Sequence, residues 1–207
     1  MTQTLLETRW IALCQRLGID TPEQKWAILA AHYQAQGRSY HTLRHVAQCL
    51  ALFDQYRALV ADLDLVEYAF WMHDVVYDPK RADNEALSAE MARAWLAQDV
   101  RSASIVSAHI LATQHPSAPI DPDQQFVVDV DLAILGAPLS VYADYCQAVR
   151  REYAWVPDQA FKVGRGKVLA DFLGRSRIYS RPEFIDLWEQ QARLNMQWEL
   201  KRMRGDD

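Results

Sequence analysis

Leu63-Asp64-Leu65-Val66-Glu67-Tyr68-Ala69-Phe70-Trp71-Met72-His73-Asp74-Val75-Val76-Tyr77-Asp78 is the stretch on which the fold assignment turns. Read as a helix from about Leu63 to Val76, it places Ala69, Phe70, Val76 and Tyr77 around His73, and Phe70, Trp71 and Tyr77 around Asp74. Two ionisable side chains therefore project where the pattern expects a core. A buried carboxylate is costly unless its charge is compensated. Either a bound metal ion or a cation from elsewhere in the chain would compensate it.

The same helical pattern continues on both sides. Thr4 to Leu17 suits an amphipathic helix. A second is expected after Thr21-Pro22, with Thr21 as N-cap, running to about Gln36. A third spans about His41 to Tyr56. Downstream, helices are expected from Ala82 or Asp83 to about Gln98, from a Ser102 cap to about His115, from Asp123 to Leu135, from Ser140 to Tyr153, and from Asp158 to Leu173. A last one opens at Arg181-Pro182 and frays toward Arg204. Pro116 to Pro122 is turn-rich. Val127-Val128-Asp129-Val130 has strand-like composition but sits inside a longer helical pattern. The expected architecture is all-α: about nine or ten helices in a single domain over residues 1–207, with a core at about 38–175 and a C-terminal helix at 181–204.

Bulk properties narrow the function classes. The chain has 207 residues, is 50% hydrophobic, and carries a net charge of -5. A nucleic-acid polymer is not an expected partner, because its binders usually carry a basic balance. A local basic pocket for a small phosphorylated molecule stays compatible with that charge. The three cysteines, Cys14, Cys49 and Cys146, form no CxxC pair and read as reduced thiols. No apolar run reaches the roughly 20 residues that a bilayer span needs. The first residues lack the basic and apolar regions of a signal peptide. A cytoplasmic location without membrane association is expected, and the many aromatic residues are compatible with a homodimer.

Other candidate ligands flank the His-Asp pair. His41 and His45 are four apart, and His45 borders the stripe Leu43, Val46, Leu50 and Phe53. A lone histidine there would be a half-buried group bonded to a carbonyl. His73-Asp74 on the next helix, joined by a short loop, alters that expectation. Asp131 has Val127, Val128, Ile134 and Leu135 as its helical neighbours. Asp129 has Gln125, Phe126, Leu132 and Ala133. Asp131 is thus the better candidate for a buried acid, with a salt bridge to an internal arginine as its structural alternative. Cys49, one turn after His45, reads as a small core residue.

The ordered set His45, His73-Asp74 and Asp131 resembles the HD superfamily of metal-dependent phosphohydrolases. Tyr40-His41-x-x-x-His45-Val46 and His73-Asp74-Val75-Val76-Tyr77-Asp78-Pro79 look like one uncharacterised bacterial branch of it. So do Asp83-Asn84-Glu85-x-x-Ser88-Ala89, Asp129-Val130-Asp131-Leu132-Ala133-Ile134-Leu135-Gly136, Val149-Arg150-Arg151-Glu152-Tyr153 and Gly164-Arg165. The resemblance implies an all-α fold and assigns ligand roles to His45, His73, Asp74 and Asp131. Two imidazoles and two carboxylates suit a divalent manganese, iron, cobalt, nickel or zinc ion. Asp74 is then also placed to orient the attacking water. Relatives with two metals carry a His-Glu pair where this chain has Asn84-Glu85, so one ion is expected, with His109, His115 and Glu85 as the candidates for a second.

Glu85 is a candidate general acid or base; a carboxylate in the first helical turn is also favoured by the dipole. Lys80 and Arg81 follow the His-Asp helix and are candidates for a substrate phosphate or for plain solvation. Arg165, between Gly164 and Gly166, is either a phosphate fork or the structural partner of Asp171 or Glu152. Arg38 and Tyr40 border the first ligand helix as further substrate-binding candidates. Two function classes follow. One is hydrolysis of a phosphate ester or anhydride in a nucleotide-like metabolite. The other is a non-catalytic metal- or ligand-binding module.

Overall fold

The computed structural model describes residues 1–96, 98–115 and 119–205. Part of the turn expected over 116–122 lies outside these residues. The described chain is all-α, with ten α-helices and no strand. Val127–Val130, the strand-like run, is helical. No single helix is long and apolar enough to cross a membrane. The chain divides into two compact units, Met1–Val130 and Asp131–Asp207.

The first unit holds α1 (Gln3–Arg16), α2 (Pro22–Tyr33), α3 (Leu43–Tyr56), α4 (Leu63–Met72), α5 (Asn84–Trp95), α6 (Val100–Ala112) and the body of α7 (Pro122–Asp131). Thr21 occupies the N-cap position of α2 with Pro22 after it, as expected, but in a left-handed conformation (φ 47°) and without a side-chain capping bond. At α6 the cap is Asp99, which accepts from the Ser102 N–H, so Ser102 lies inside the helix. α4 is the centre of this unit. Every residue from Leu65 to Met72 is buried, and α1, α3, α5 and α6 all pack on it. Such burial on all sides requires an apolar helix throughout. Its one carboxylate in that run, Glu67, is neutralised by Arg9 at 2.7 Å and Arg16 at 3.2 Å. Trp10 of α1 packs against Tyr68, Trp71 and Trp95 with ring centroids 5.7–5.9 Å apart.

Three rings fix the helices that matter most for the site. Phe53 of α3, Phe70 of α4 and Phe126 of α7 meet edge to face, with centroids 6.2–6.4 Å apart. Edge-to-face pairs set angles as well as distances. Asp123 adds a polar tie at the start of α7, accepting from the Ala61 and Asp62 N–H groups at 2.9 Å each.

The second unit follows α7 with a 3-10 segment, Leu132–Gly136, then α8 (Leu139–Glu152), α9 (Asp158–Gly174) and α10 (Pro182–Arg204). The 3-10 segment packs on α10. Buried Asn195 of α10 donates to the Leu135 and Ala137 carbonyls at 2.7 and 2.8 Å. At Gly136 a Cβ would stand 2.5 Å from the Trp188 Cβ, so only glycine allows this approach. α10 runs unbroken to Arg204, where Gly205 (φ 81°) closes it in the left-handed region. Fraying before that point was expected from the charged sequence, but the glycine cap ends the helix cleanly.

Candidate metal centre

His45 enters the site from the first turn of α3. Thr42 caps that helix, accepting from the Arg44 N–H at 3.3 Å. The helix therefore begins after His41, not at it, and His41 and His45 do not share a helical face. His45 projects beside Val46, Cys49 and Leu50 and is only 3% exposed. The Cys49 sulfur lies 3.9 and 3.8 Å from the two ring nitrogens. It packs against the ring, as the sequence suggests.

His73 stands where α4 stops. The helix ends at Met72, and the His73 N–H donates the last turn's bond to the Ala69 carbonyl at 2.9 Å. The expected continuation to Val76 is replaced by a turn. Val76 and Tyr77 are therefore not the helical neighbours of the pair. The turn is held by side chains whose role the sequence did not reveal. Arg38 donates to the His41, Asp74 and Val75 carbonyls at 2.9, 2.7 and 2.8 Å. Ser88 accepts from the Val76 N–H and donates to its carbonyl. Asn84 bonds both backbone groups of Asp78. Tyr33 donates to the Trp71 carbonyl at 2.9 Å. The signal available was polar residues at helical spacing, Asn84 and Ser88, on the buried face of α5. Arg38 thus serves the backbone of the site.

The His73 Nδ1 lies 3.1 Å from the Phe70 carbonyl. A carbonyl only accepts, so Nδ1 carries the proton and Nε2 of the neutral ring presents a lone pair. This Nε2 faces the His45 Nε2 at 3.1 Å and the Asp74 Oδ2 at 3.0 Å; His45 Nε2 and Asp74 Oδ2 are 3.6 Å apart. Three ligand-type atoms therefore form a triangle. An ion about 2.1 Å from each donor sets neighbouring donors about 3.0 Å apart in octahedral and about 3.4 Å apart in tetrahedral geometry. The triangle has those dimensions.

Asp131 completes the set. It is the last residue of α7, a helix whose preceding residues belong to the first unit. One donor atom from each of His45, His73, Asp74 and Asp131 lies within 4.8 Å of all the others, so the group could hold a metal ion. Asp131 is half-buried, whereas Asp129 is fully buried, the reverse of the expected ranking. The physical reason is the end of the α-helix at Asp131: in the 3-10 segment that follows, the i+4 residue Leu135 no longer lies over it.

No family model, curated protein or solved structure matches this chain. Its chemistry is therefore argued from the site. Burial works to raise the Asp74 carboxyl pKa, but His73, His41 and His45 outweigh it and hold the group well below the usual carboxylate range. The Tyr40 ring lies 4.8 Å from that of His45, and His41 stacks on Tyr77 at 4.0 Å. The imidazoles are buried, at 3% and 1% side-chain exposure, while Asp74 retains 14%. Asp74 is the more accessible of these three donors.

The remaining candidates are placed as follows. Glu85 is half-buried in the first turn of α5, 3.5 Å from the Gln114 amide. Lys80 is exposed in the loop after the His-Asp turn, and Arg81 pairs with Asp83 through two bonds of 2.8 and 2.7 Å. Arg165 lies in the second unit and pairs with Glu199 at 2.8 and 3.1 Å, so its partner is neither Asp171 nor Glu152. His109 and His115 are outside the four-residue group.

Proposed function

We propose that the chain is a metal-dependent phosphohydrolase of the HD type, acting on a phosphate ester or anhydride of a small nucleotide-like metabolite. The observation that carries this reading is the asymmetry of the donor group. A closed structural site would bury all its donors, whereas a catalytic one keeps a side open for water and substrate. Here the two imidazoles are 3% and 1% exposed, whereas the Asp74 side chain keeps 14% of its surface and Asp131 is half-buried, so the accessible donors are the carboxylates.

A bound divalent ion would supply a water of lowered pKa and polarise a phosphoryl oxygen. His45, His73, Asp74 and Asp131 would hold it, and the Nδ1–H bond to Phe70 keeps the His73 lone pair aimed inward. Asp74, ionised by its histidine surroundings, accepts a hydrogen bond from the attacking water and orients it. Tyr40, His41 and Tyr77 form an aromatic margin beside His45 that suits a flat group on the substrate. Lys80 is the nearest exposed cation in sequence for a phosphate, and Glu85 is the candidate acid for the leaving group. A single ion fits four donors from one cluster. The resemblance to the HD superfamily and the donor geometry support the same activity by separate routes.

The test is a panel of nucleotides and sugar phosphates assayed with manganese, iron, cobalt, nickel and zinc. Metal-dependent release of phosphate, lost in Asp74→Ala, is the expected result. No turnover across the whole panel, in protein that binds metal, would overturn the reading in favour of a binding module.

A further inference from the structure

The second unit contains a hollow of about 250 Å³ walled by α8, α9 and α10. Its lining includes the Glu199 carboxylate, which accepts two bonds from Arg165 and one from the Tyr142 hydroxyl. Its walls are apolar and aromatic: Phe161, Trp198 and Met203. Arg150 is fixed on one side. It donates to the Tyr153 and Val156 carbonyls and to Asp158, with its guanidinium 4.8 Å above the Phe161 ring. Arg202 lies 5.0 Å above the Trp198 ring, and Lys162 stands on the rim.

The charges do not cancel. Arg150, Lys162 and Arg202, with Arg165 paired to Glu199, oppose only Glu199 and Asp158. Among the described residues, neither Lys162 nor Arg202 has an ion-pair partner. A surplus of two positive charges in a chain of net charge -5 is a local departure that attracts anions. Both Glu199 oxygens already accept bonds from Arg165 and Tyr142, so a ligand's charge belongs at the rim and its body inside. The volume suits one ring and is below the usual range for drug-sized ligands.

We propose that this hollow binds a small organic phosphate dianion with a flat apolar body. The ring enters between Phe161 and Trp198, and the phosphate meets Lys162 and the outer edge of the Arg202 guanidinium. Two surplus cations match a dianion better than a monocarboxylate. The site does not depend on the metal centre, whose donors stand on α3, α4, the turn after α4, and α7.

Calorimetric titration of the metal-free full chain with phenylphosphonate tests it, because that probe has no ester bond to cleave. One molecule is expected to bind per chain, with a dissociation constant below about 1 mM. Lys162→Ala and Arg202→Ala are each expected to weaken it about tenfold. Both residues are exposed, so their replacement leaves the fold intact. Binding in His73→Ala should equal that of the unaltered chain, which separates this site from the metal centre. Absent binding, binding by both rim variants as tight as by the unaltered chain, or loss in His73→Ala alone would each overturn the proposal. So would a change of oligomeric state in the rim variants without phosphonate binding, which would make a second copy of the chain the occupant.

Discussion

The Nε2 atoms of His45 and His73 face each other at 3.1 Å inside the first unit. Two lone pairs at that distance repel unless a proton or a cation lies between them. His73 already spends its Nδ1 proton on the Phe70 carbonyl. The Asp74 carboxylate, 3.0 Å from His73 Nε2, favours a cation at this point.

His73→Ala should therefore abolish stoichiometric metal, and Asp131→Asn should weaken it. Elemental analysis of purified proteins after dialysis measures both. Unchanged metal content in His73→Ala would remove these residues from any metal site.

Arg38 connects the two ligand segments through their backbone carbonyls. Its guanidinium binds the His41 carbonyl before α3 and the Asp74 and Val75 carbonyls after α4. Outer partners of this kind commonly affect metal affinity by about 10- to 100-fold. Arg38→Ala should lose affinity in that range while retaining one ion per chain at saturation. Lysine has one point charge in place of the planar fork, so Arg38→Lys should recover only part of it. Competition with a chelator of known affinity reads the difference. Equal affinity in all three proteins would reduce Arg38 to a bystander.

Helix bodies were legible wherever an apolar stripe persisted, and the deviations cluster at helix ends. α4 was expected to continue to Val76 because Val75, Val76 and Tyr77 extend the apolar run. It stops at Met72 because Arg38, 37 residues before Val75, and Ser88 and Asn84 on the next helix supply partners for the backbone of the turn. The Arg38 bond leaves no local trace. The relative burial of Asp129 and Asp131 failed for a related reason, since ideal helical neighbours were assumed past the point where α7 becomes 3-10. The ligand residues themselves were readable because each interrupts an apolar stretch with an ionisable side chain. Arg165 was readable only as an alternative. Its partner Glu199 lies 34 residues away on α10.

The phenylalanine trio supplies a stability prediction that bears on the site. Phe126 is fully buried and meets Phe53 and Phe70 edge to face. Phe126→Ala should cost about 3 to 5 kcal/mol. Phe126→Leu, which keeps most of the volume, should cost clearly less. Denaturant titration gives both values. Equal, small losses would mean that α7 is not anchored through this ring.

His109 predicts a pH effect on stability. It is 2% exposed, and among the described residues neither ring nitrogen has a hydrogen-bond partner. Burial depresses its pKa, and the carboxylates of Asp121, Asp123 and Asp62 only partly oppose that. The unfolded chain therefore takes up a proton more readily than the folded one. Stability is fully present above about pH 6.5, the ordinary histidine value, and falls as the pH drops toward the lower folded value. His109→Leu should flatten this part of the profile. Urea midpoints of both proteins between about pH 5 and 7.5 measure it. Parallel profiles would assign the acid sensitivity to other groups.

The Arg165–Glu199 pair offers the sharpest test of the second unit. Their side chains are 11% and 8% exposed, and Tyr142 donates to the same carboxylate. Burial works against both charges, yet the pairing keeps Arg165 protonated and lowers the Glu199 carboxyl pKa. Removing one partner strands the other in the interior. Arg165→Met should cost about 3 to 5 kcal/mol, whereas Arg165→Met with Glu199→Leu should recover much of that loss. The recovery stays incomplete because the Tyr142 hydroxyl then loses its acceptor. A double-mutant cycle in urea isolates the coupling. Additive losses from the two single changes would show that the ion pair is not what holds α9 to α10.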